Sequence, residues 1–429
     1  MSIQKGLGHA ISTHVPKLSL VLLVGQLFFA PHVFAKTLLL DQAVNNTLKN
    51  NPSLRVFPLR QQGLVGEKKT ASLNPAMNIG AEIENFSGTG ELSGIKGLET
   101  TVSLSSVLEL GDKRAARMSL VDEKANNVDI ESEIESLDLI GEVTRRFTEV
   151  LNVQARLDLA IESLNLANEA LEEVTKRVNA AIAPAADMGR AKAAVQQAEL
   201  NISLIKQQLS ASRMALANLW GSLQPEFSDV AGSLYTFKQA KPFEQLFELV
   251  KQNPSIRFYA AESRIRDAEI RLAKTQSVAD LSWSVGIRRN EEINQSALVA
   301  GFSMPLFSGK RAQGRIESAL AAKNEVIFRE ESTLLSLHTQ LYKAYTGREQ
   351  SIAAVNQLKS EIIPNLRLSL EQTQTAYRRG LYSYLDLLSA RRELLQAKQA
   401  LIDSATAAVR YGIEVEQLTA VPLTAEASL

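Results

Sequence analysis

From Val150 onward, apolar residues return at alternating spacings of three and four: Val150, Val153, Leu157, Ala160, Leu164, Ala167, Leu171, Val174, Val178 and Ala181. This is a heptad seam of small and branched side chains, and no Pro or Gly interrupts it between Gly141 and Pro184. The helical pattern runs from about Lys113 to Ala181, which at 1.5 Å per residue reaches roughly 100 Å. A helix of that length spans a distance. After a turn at Ala183-Pro184-Ala185, a returning helix covers about 186–220. A second long helix and its return, about 384–418, follow around Gly380-Leu381-Tyr382-Ser383. The last helix carries one seam through Leu387, Leu394, Leu401, Ala408 and Val415 and an adjacent stripe through Leu388, Leu395, Ile402 and Val409. Two stripes predict two helical neighbours, as in helices packed flank to flank around a tube.

The period changes from 3.6 to 2 in two places. Met77, Ile79, Ala81 and Ile83 alternate with polar residues, and so do Leu98, Thr100, Val102 and Leu104 beyond the Gly/Ser-rich turn 85–97. Leu281, Trp283, Val285 and Ile287, then Leu298, Ala300, Phe302 and Met304, repeat the pattern in the second half. These read as two β-hairpins, 76–108 and 280–306, of strands about ten residues long, the length a tilted strand needs to cross a bilayer. Four strands cannot close a barrel, but three copies would supply twelve, an even number within the known range.

The chain is duplicated. Lys49-Asn50-Asn51-Pro52-Ser53-Leu54-Arg55 returns as Lys251-Gln252-Asn253-Pro254-Ser255-Ile256-Arg257; Gly111-Asp112-Lys113-Arg114 is echoed by Gly309-Lys310-Arg311; and Asp187 and Ala191 align with Asp386 and Ala390. All three matches share an offset of roughly 200 residues, far longer than solenoid periods. Each half holds a short helix ending at an Asn-Pro pair (39–50; 241–252), a second helix (53–73; 255–278), a hairpin, and a long helical hairpin (111–220; 309–418). The expected organisation is therefore a first repeat over 36–220, a linker or outer belt over 221–241, a second repeat over 242–418, and a tail over 419–429. Residues 1–35 read as a secretory signal peptide: Lys5 and Lys17 precede the apolar run Leu18–Ala30, and Val33-Phe34-Ala35 offers a cleavage site. That run is too short to span a bilayer as a helix.

Composition narrows the chemistry. Lys+Arg 47 against Asp+Glu 47 gives no electrostatic case for nucleic acid. The absence of Cys removes disulfides, thiolate metal sites and cysteine nucleophiles. Of four His, three fall within the expected leader, leaving His338, so no soft-metal site and no catalytic constellation is expected. Gly88-Thr89-Gly90 is a hairpin turn signal, and Gly309-Lys310-Arg311 lacks the rest of a phosphate loop; no cofactor is expected.

The duplicated helix–hairpin–long helix order, with Gly-Lys-Arg after the second hairpin, resembles the TolC-like outer membrane efflux proteins over about 37–418. Leu108-Glu109-Leu110-Gly111-Asp112-Lys113-Arg114 is similar to the signature of the CzcC-type heavy-metal efflux subfamily, as are Ala181-Ile182-Ala183-Pro184 and Leu40-Asp41-Gln42-Ala43-Val44. Asp112 stands where that subfamily usually has Gly, and Val107 where a Pro commonly stands. The resemblance implies a mainly α fold of long antiparallel coiled-coil helices. It implies a homotrimer with a 12-helix periplasmic tunnel and a 12-stranded barrel in outer membrane lipid, served by a periplasmic adaptor and an inner-membrane RND pump. It implies a passive duct for cations such as cobalt, zinc and cadmium. Tyr377 through Asp386 match the family's tip motif. On that match, Asp386, Tyr377 and Arg378 form a periplasmic gate, with Ser389 where some members carry a second acid. Ala183, Pro184, Ala185, Gly380, Leu381, Tyr382 and Ser383 would be the adaptor-contact tips. A drug-efflux or type I secretion duct of the same fold is the alternative within transport. A periplasmic coiled-coil scaffold or adaptor is the alternative of another class, disfavoured because adaptors have one helical hairpin and this chain has two.

Overall fold

The computed structural model describes residues 36–90, 93–239 and 241–421. The expected signal peptide and residues 422–429 of the expected tail lie outside the described residues. The first half runs β1 (Lys36–Leu38), α1 (Leu40–Asn50), α2 (Val56–Ala71), β2 (Asn78–Glu84), β3 (Glu99–Leu108), α3 (Lys113–Asn179) and α4 (Ala185–Ala217). After β4 (Phe227–Val230) the second half repeats it: α5 (Phe243–Val250), α6 (Pro254–Thr275), β5 (Leu281–Asn290), β6 (Gln295–Ser303), α7 (Ser308–Gln357), α8 (Ile363–Arg378) and α9 (Tyr384–Thr419).

The repeated Asn-Pro-Ser motif has a local cause in both halves. Asn51 Oδ1 accepts from the Ser53 N–H and Asn253 Oδ1 from the Ser255 N–H, each at 2.8 Å, so each Asn caps the helical turn that its Pro opens. The same side chains donate outward. Asn51 Nδ2 reaches the Leu219 carbonyl at 2.8 Å, and Asn253 Nδ2 reaches the carbonyls of Gln417 and Leu418. One residue type thus starts a helix and satisfies the orphan carbonyls where the returning helix ends.

The four hairpin strands form one antiparallel sheet in the order β2-β3-β5-β6. Its register aligns the apolar positions in rows: Ile79 faces Leu104, which faces Val285, which faces Ala300; Ala81, Val102, Ile287 and Leu298 form the next row. These side chains lie open, with Ile79 and Leu298 each 82% exposed and Phe302 75%. The opposite face carries Gly80, Ser103 and Gly286 in one row and Glu82, Thr101 and Arg288 in the next. There Arg288 donates to Thr101 Oγ1 at 2.9 Å and pairs with Glu99 and Glu84 at 3.0 Å each, tying three strands together on the polar side.

The 67-residue α3 is the spine, roughly 100 Å long. Away from the sheet it packs against α2 and α6, with α7 beyond α6; further along, its neighbours are α4 and α9, with α7 and α8 beyond α9. The α3 seam is buried at Val150, Val153, Ala160, Ala167 and Val174. The two stripes of α9 are covered differently: Leu387 and Leu394 of the first join Leu370 of α8 and Val174 of α3 in one cluster, while of the second Val409 packs beside Leu151 and Ala155 of α3 and Leu388 and Leu395 line a groove between α3, α4 and α9.

Two features differ from the periodicity reading. The second long helix is not continuous: a π-helical segment, Leu358–Ile362, separates α7 from α8. Pro364 lies in the first turn of α8 and has no N–H to give, so the ladder widens just before it. The belt also holds a strand: β4 pairs in parallel with β1, and Phe227, Val230 and Leu234 are buried against the long helices. Arg348 of α7, itself buried, donates to the Lys238 carbonyl and fastens the belt's far end.

Candidate functional site: the conduit wall and the helical tips

The signature after the first hairpin sits where sheet gives way to helix. Gly111 takes φ +75° and Asp112 φ +58°. The subfamily's usual Gly at the second position fits this left-handed conformation, and Asp is among the few side chains that tolerate it. Phe307 occupies the corresponding turn of the second half at φ +63° and is 75% exposed. Lys113 Nζ donates to the Val278 carbonyl at 2.8 Å and pairs with Asp280 at 2.6 Å, while Glu109 holds Arg117 through two hydrogen bonds. The Lys and the Glu of the signature are therefore joints between the two halves of the sheet and the tunnel.

Midway along, the belt covers one side of α3 through Leu151 and Gln154, the latter meeting the Val230 N–H and carbonyl. Two residues on the other side, 100° per residue round the helix, carry charge. Glu149 pairs with Arg410 at 2.7 Å and Arg156 with Asp403 at 2.9 Å, both across the α3–α9 contact. They line a groove of about 840 Å³ together with Asp138, whose carboxyl is pushed up first by burial and then by Glu135. None of these residues stood out in the sequence, because a charge on a long helix is ordinarily a solvated face. Only the belt's position shows that this face lies opposite the covered one.

At the far end the two turns share one geometry. α8 ends in a Schellman motif: the Gly380 N–H donates to the Tyr377 carbonyl at 2.9 Å, the Leu381 N–H to the Ala376 carbonyl at 3.0 Å, and Gly380 takes φ +80°. α3 ends the same way, with Ala181 donating to Val178 and Ile182 to Arg177, yet the left-handed residue is Ala181 at φ +56°. α9 then opens on a capping box. Asp386 Oδ2 accepts from the Ser383 N–H at 2.8 Å and from Ser383 Oγ at 2.7 Å, and these bonds hold its carboxyl below the usual range.

The candidate gate residues are placed unequally. Asp386 is exposed at the tip, its carboxylate engaged by Ser383. Arg378 lies 3.7 Å from Glu173 of α3. Tyr377 is buried inside the protomer, its ring beneath the Arg177 guanidinium at 4.6 Å and 6.5 Å from the Tyr384 ring. Burial pushes both phenols up. Arg177 also donates to the Tyr377 carbonyl, so α3 grips the end of α8. The sequence pattern gave no hint of Arg177. Of the expected adaptor-contact residues, Ala183 is half-buried, and Pro184, Ala185, Gly380, Leu381, Tyr382 and Ser383 are exposed. Ile182 and Leu385 beside them are open as well, which makes the tip apolar.

Comparison with known proteins agrees with this architecture. The family model described as outer membrane efflux protein matches residues 43–222 and 246–421. The cobalt-zinc-cadmium resistance protein CzcC of Cupriavidus metallidurans is 27% identical over 299 residues, 70% of this chain and 72% of its own. Among solved structures, VceC of Vibrio cholerae superposes with a TM-score of 0.72 at 19% identity, covering 90% of this chain and 96% of its own. A CusC structure gives a TM-score of 0.72 at 17% identity, covering 89% and 91%. The chain belongs to the outer membrane efflux protein family, whose members are channels of the outer membrane and not enzymes.

Proposed function

We propose that this protein is the outer membrane duct of a tripartite RND-type efflux system that exports heavy-metal cations. The observation that carries the duct is the sheet: an exposed apolar band in register across four strands, a polar opposite face, and outer edges of β2 and β6 that pair with no strand among the described residues. Open apolar edges invite pairing with further copies, and closure into a barrel removes every edge. Three protomers would close twelve strands around the polar face and continue as a twelve-helix tunnel. The metal cargo rests on the signature at 108–114 and on the likeness to CzcC.

In this reading the tip is the gate. The second hairpin is tied to the first by Arg177 on the Tyr377 carbonyl and by Glu173 beside Arg378. Opening would release those contacts and swing α8 and α9 outward when the adaptor docks on the apolar turns at 183–185 and 380–383. Three exposed Asp386 carboxylates around a narrow mouth would favour cations and disfavour anions. Among the described residues no cluster of His, Asp and Glu could hold a metal ion, so in this reading the choice among metals falls to the pump and adaptor.

Growth of a deletion strain on zinc, cobalt, cadmium, nickel, copper and silver, alongside dyes and detergents, tests the cargo. Sensitivity confined to metals supports the proposal, and sensitivity to dyes alone would move the duct to drug efflux. For the gate, Asp386→Asn in planar bilayers should weaken cation selectivity and multivalent-cation block; unchanged selectivity refutes the assignment.

A further inference from the structure

Between the first helical hairpin and α9 runs a groove of about 700 Å³, lined by α3, α4 and α9. Its lining holds three guanidinium groups, Arg156, Arg391 and Arg392, and side-chain amides from α4 and α9, with no carboxylate among the lining residues. Arg156 is engaged by Asp403. Arg391 is not engaged: it is only 5% exposed, and its Nε and Nη1 are buried without a hydrogen-bond partner among the described residues. Arg392, exposed on the next position, has no ion pair among the described residues either.

A buried guanidinium without a counter-charge is costly, because desolvation is not repaid by pairing. The carboxylates around it are mostly committed elsewhere. Glu162 holds Lys398 and Glu173 lies near Arg378 and Lys176. The Tyr384 phenol and then Glu169 act on Arg391 through space, and Arg391 borders a small cavity shared with Glu169 and Glu173, but no ion pair joins it to either carboxylate among the described residues. Burial accordingly pulls the Arg391 guanidinium down from its ordinary value. A planar fork of N–H donors beside a second Arg matches a carboxylate or phosphate group, and the amides of Gln197, Asn201 and Gln396 supply further donors on the walls of the groove.

We propose that this groove is an anion-binding site, in which Arg391 and Arg392 take a small carboxylate or phosphate bridging α4 and α9. Because the groove is lined by both helical hairpins, the bound anion would link them, whatever the cargo of the duct.

The test uses the full mature protein as its detergent-solubilised assembly. Its thermal midpoint is followed against sodium phosphate and, separately, sodium citrate, with sodium chloride matched in ionic strength. The wild type should show a saturable upward shift of several degrees with phosphate or citrate and none with chloride. Arg391→Gln should weaken apparent affinity at least tenfold, and Arg392→Gln, at an exposed position where folding is not at risk, at least threefold. Arg391→Lys, which keeps the charge but loses the fork, should fall between. A response to citrate alone identifies carboxylates as the ligand class, and to phosphate alone phosphate groups; either supports the site. No saturable shift in the wild type, or equal shifts in wild type and Arg392→Gln, overturns it. So does a loss of the midpoint in Glu169→Gln without anion, which would mean that Arg391 is paired internally.

Discussion

Gly111→Ala should be among the most damaging single-methyl changes in the molecule, and the structure says why in two separable parts. The residue sits at φ +75°, where a Cβ collides with its own backbone; that part costs about 1–2 kcal/mol. The added Cβ would also stand 2.7 Å from Val278 Cγ2, 2.9 Å from Val278 Cβ and 3.2 Å from Cγ1. Overpacking of that kind costs about 1–3 kcal/mol. Together the two give about 2–5 kcal/mol, at the joint where Lys113 ties the first half to Val278 and Asp280. Val278→Ala removes the two Cγ contacts but neither the Cβ contact nor the strain, and at a partly exposed position its own cost is small. The double variant should therefore recover roughly 1–2 kcal/mol of the loss, a coupling measurable in a double-mutant cycle. The assay is the temperature at which the purified assembly converts to monomer on heating in detergent, with Gly111→Ala, Val278→Ala and the pair run together. If Gly111→Ala melts with the wild type, or if the pair is merely the sum of the singles, the steric account of this joint is wrong.

The opposite sign is expected where a side chain now occupies the left-handed region. Ala181→Gly and Asp112→Gly should each slow local opening by about 0.5–1 kcal/mol, two- to fivefold in amide exchange near the substituted turn, and faster exchange refutes the strain argument. Asp386 gives a pH signature. Its folded carboxyl lies below the ordinary 3.8 because Ser383 donates to it twice, so the capping box is intact above that value and is lost as pH falls through the lowered one. Pepsin nicking at the second tip should rise steeply only below that pH, and Ser383→Ala should move the onset upward. Arg348→Met removes the donor on the Lys238 carbonyl and leaves that end of the belt unfastened; a loss of about 1–3 kcal/mol should appear as rapid proteolysis within 231–239 while the helical core resists.

What the sequence revealed and what it hid divide along a physical line. Hydrophobic period reports which face of an element is covered, so the seam on α3, the paired stripes on α9 and the alternation of the strands could all be read directly. The repeated Asn-Pro-Ser was legible as a helix boundary, but its second task, holding Leu219 in one half and Gln417 and Leu418 in the other, depends on chain returning from about 165 residues away. The break at Leu358–Ile362 had a visible signal in Pro364, which a seam analysis passes over because apolar spacing continues through it. Least legible was the tip. Tyr377 and Asp386 stand nine residues apart and look like equals in a motif, yet the first points into the protomer and the second out of it. That difference is set by Gly380: its positive φ reverses the chain, so Tyr377 closes a helix whose end is gripped by Arg177, whereas Asp386 opens the next helix at the surface. Arg177 itself is one charged residue among many on a 67-residue helix. Its role exists only because the two hairpins end at the same height. That height follows from two nearly equal lengths of chain, 67 residues in α3 against 308–378 in the second half, and the duplication that sets them was present in the sequence from the start.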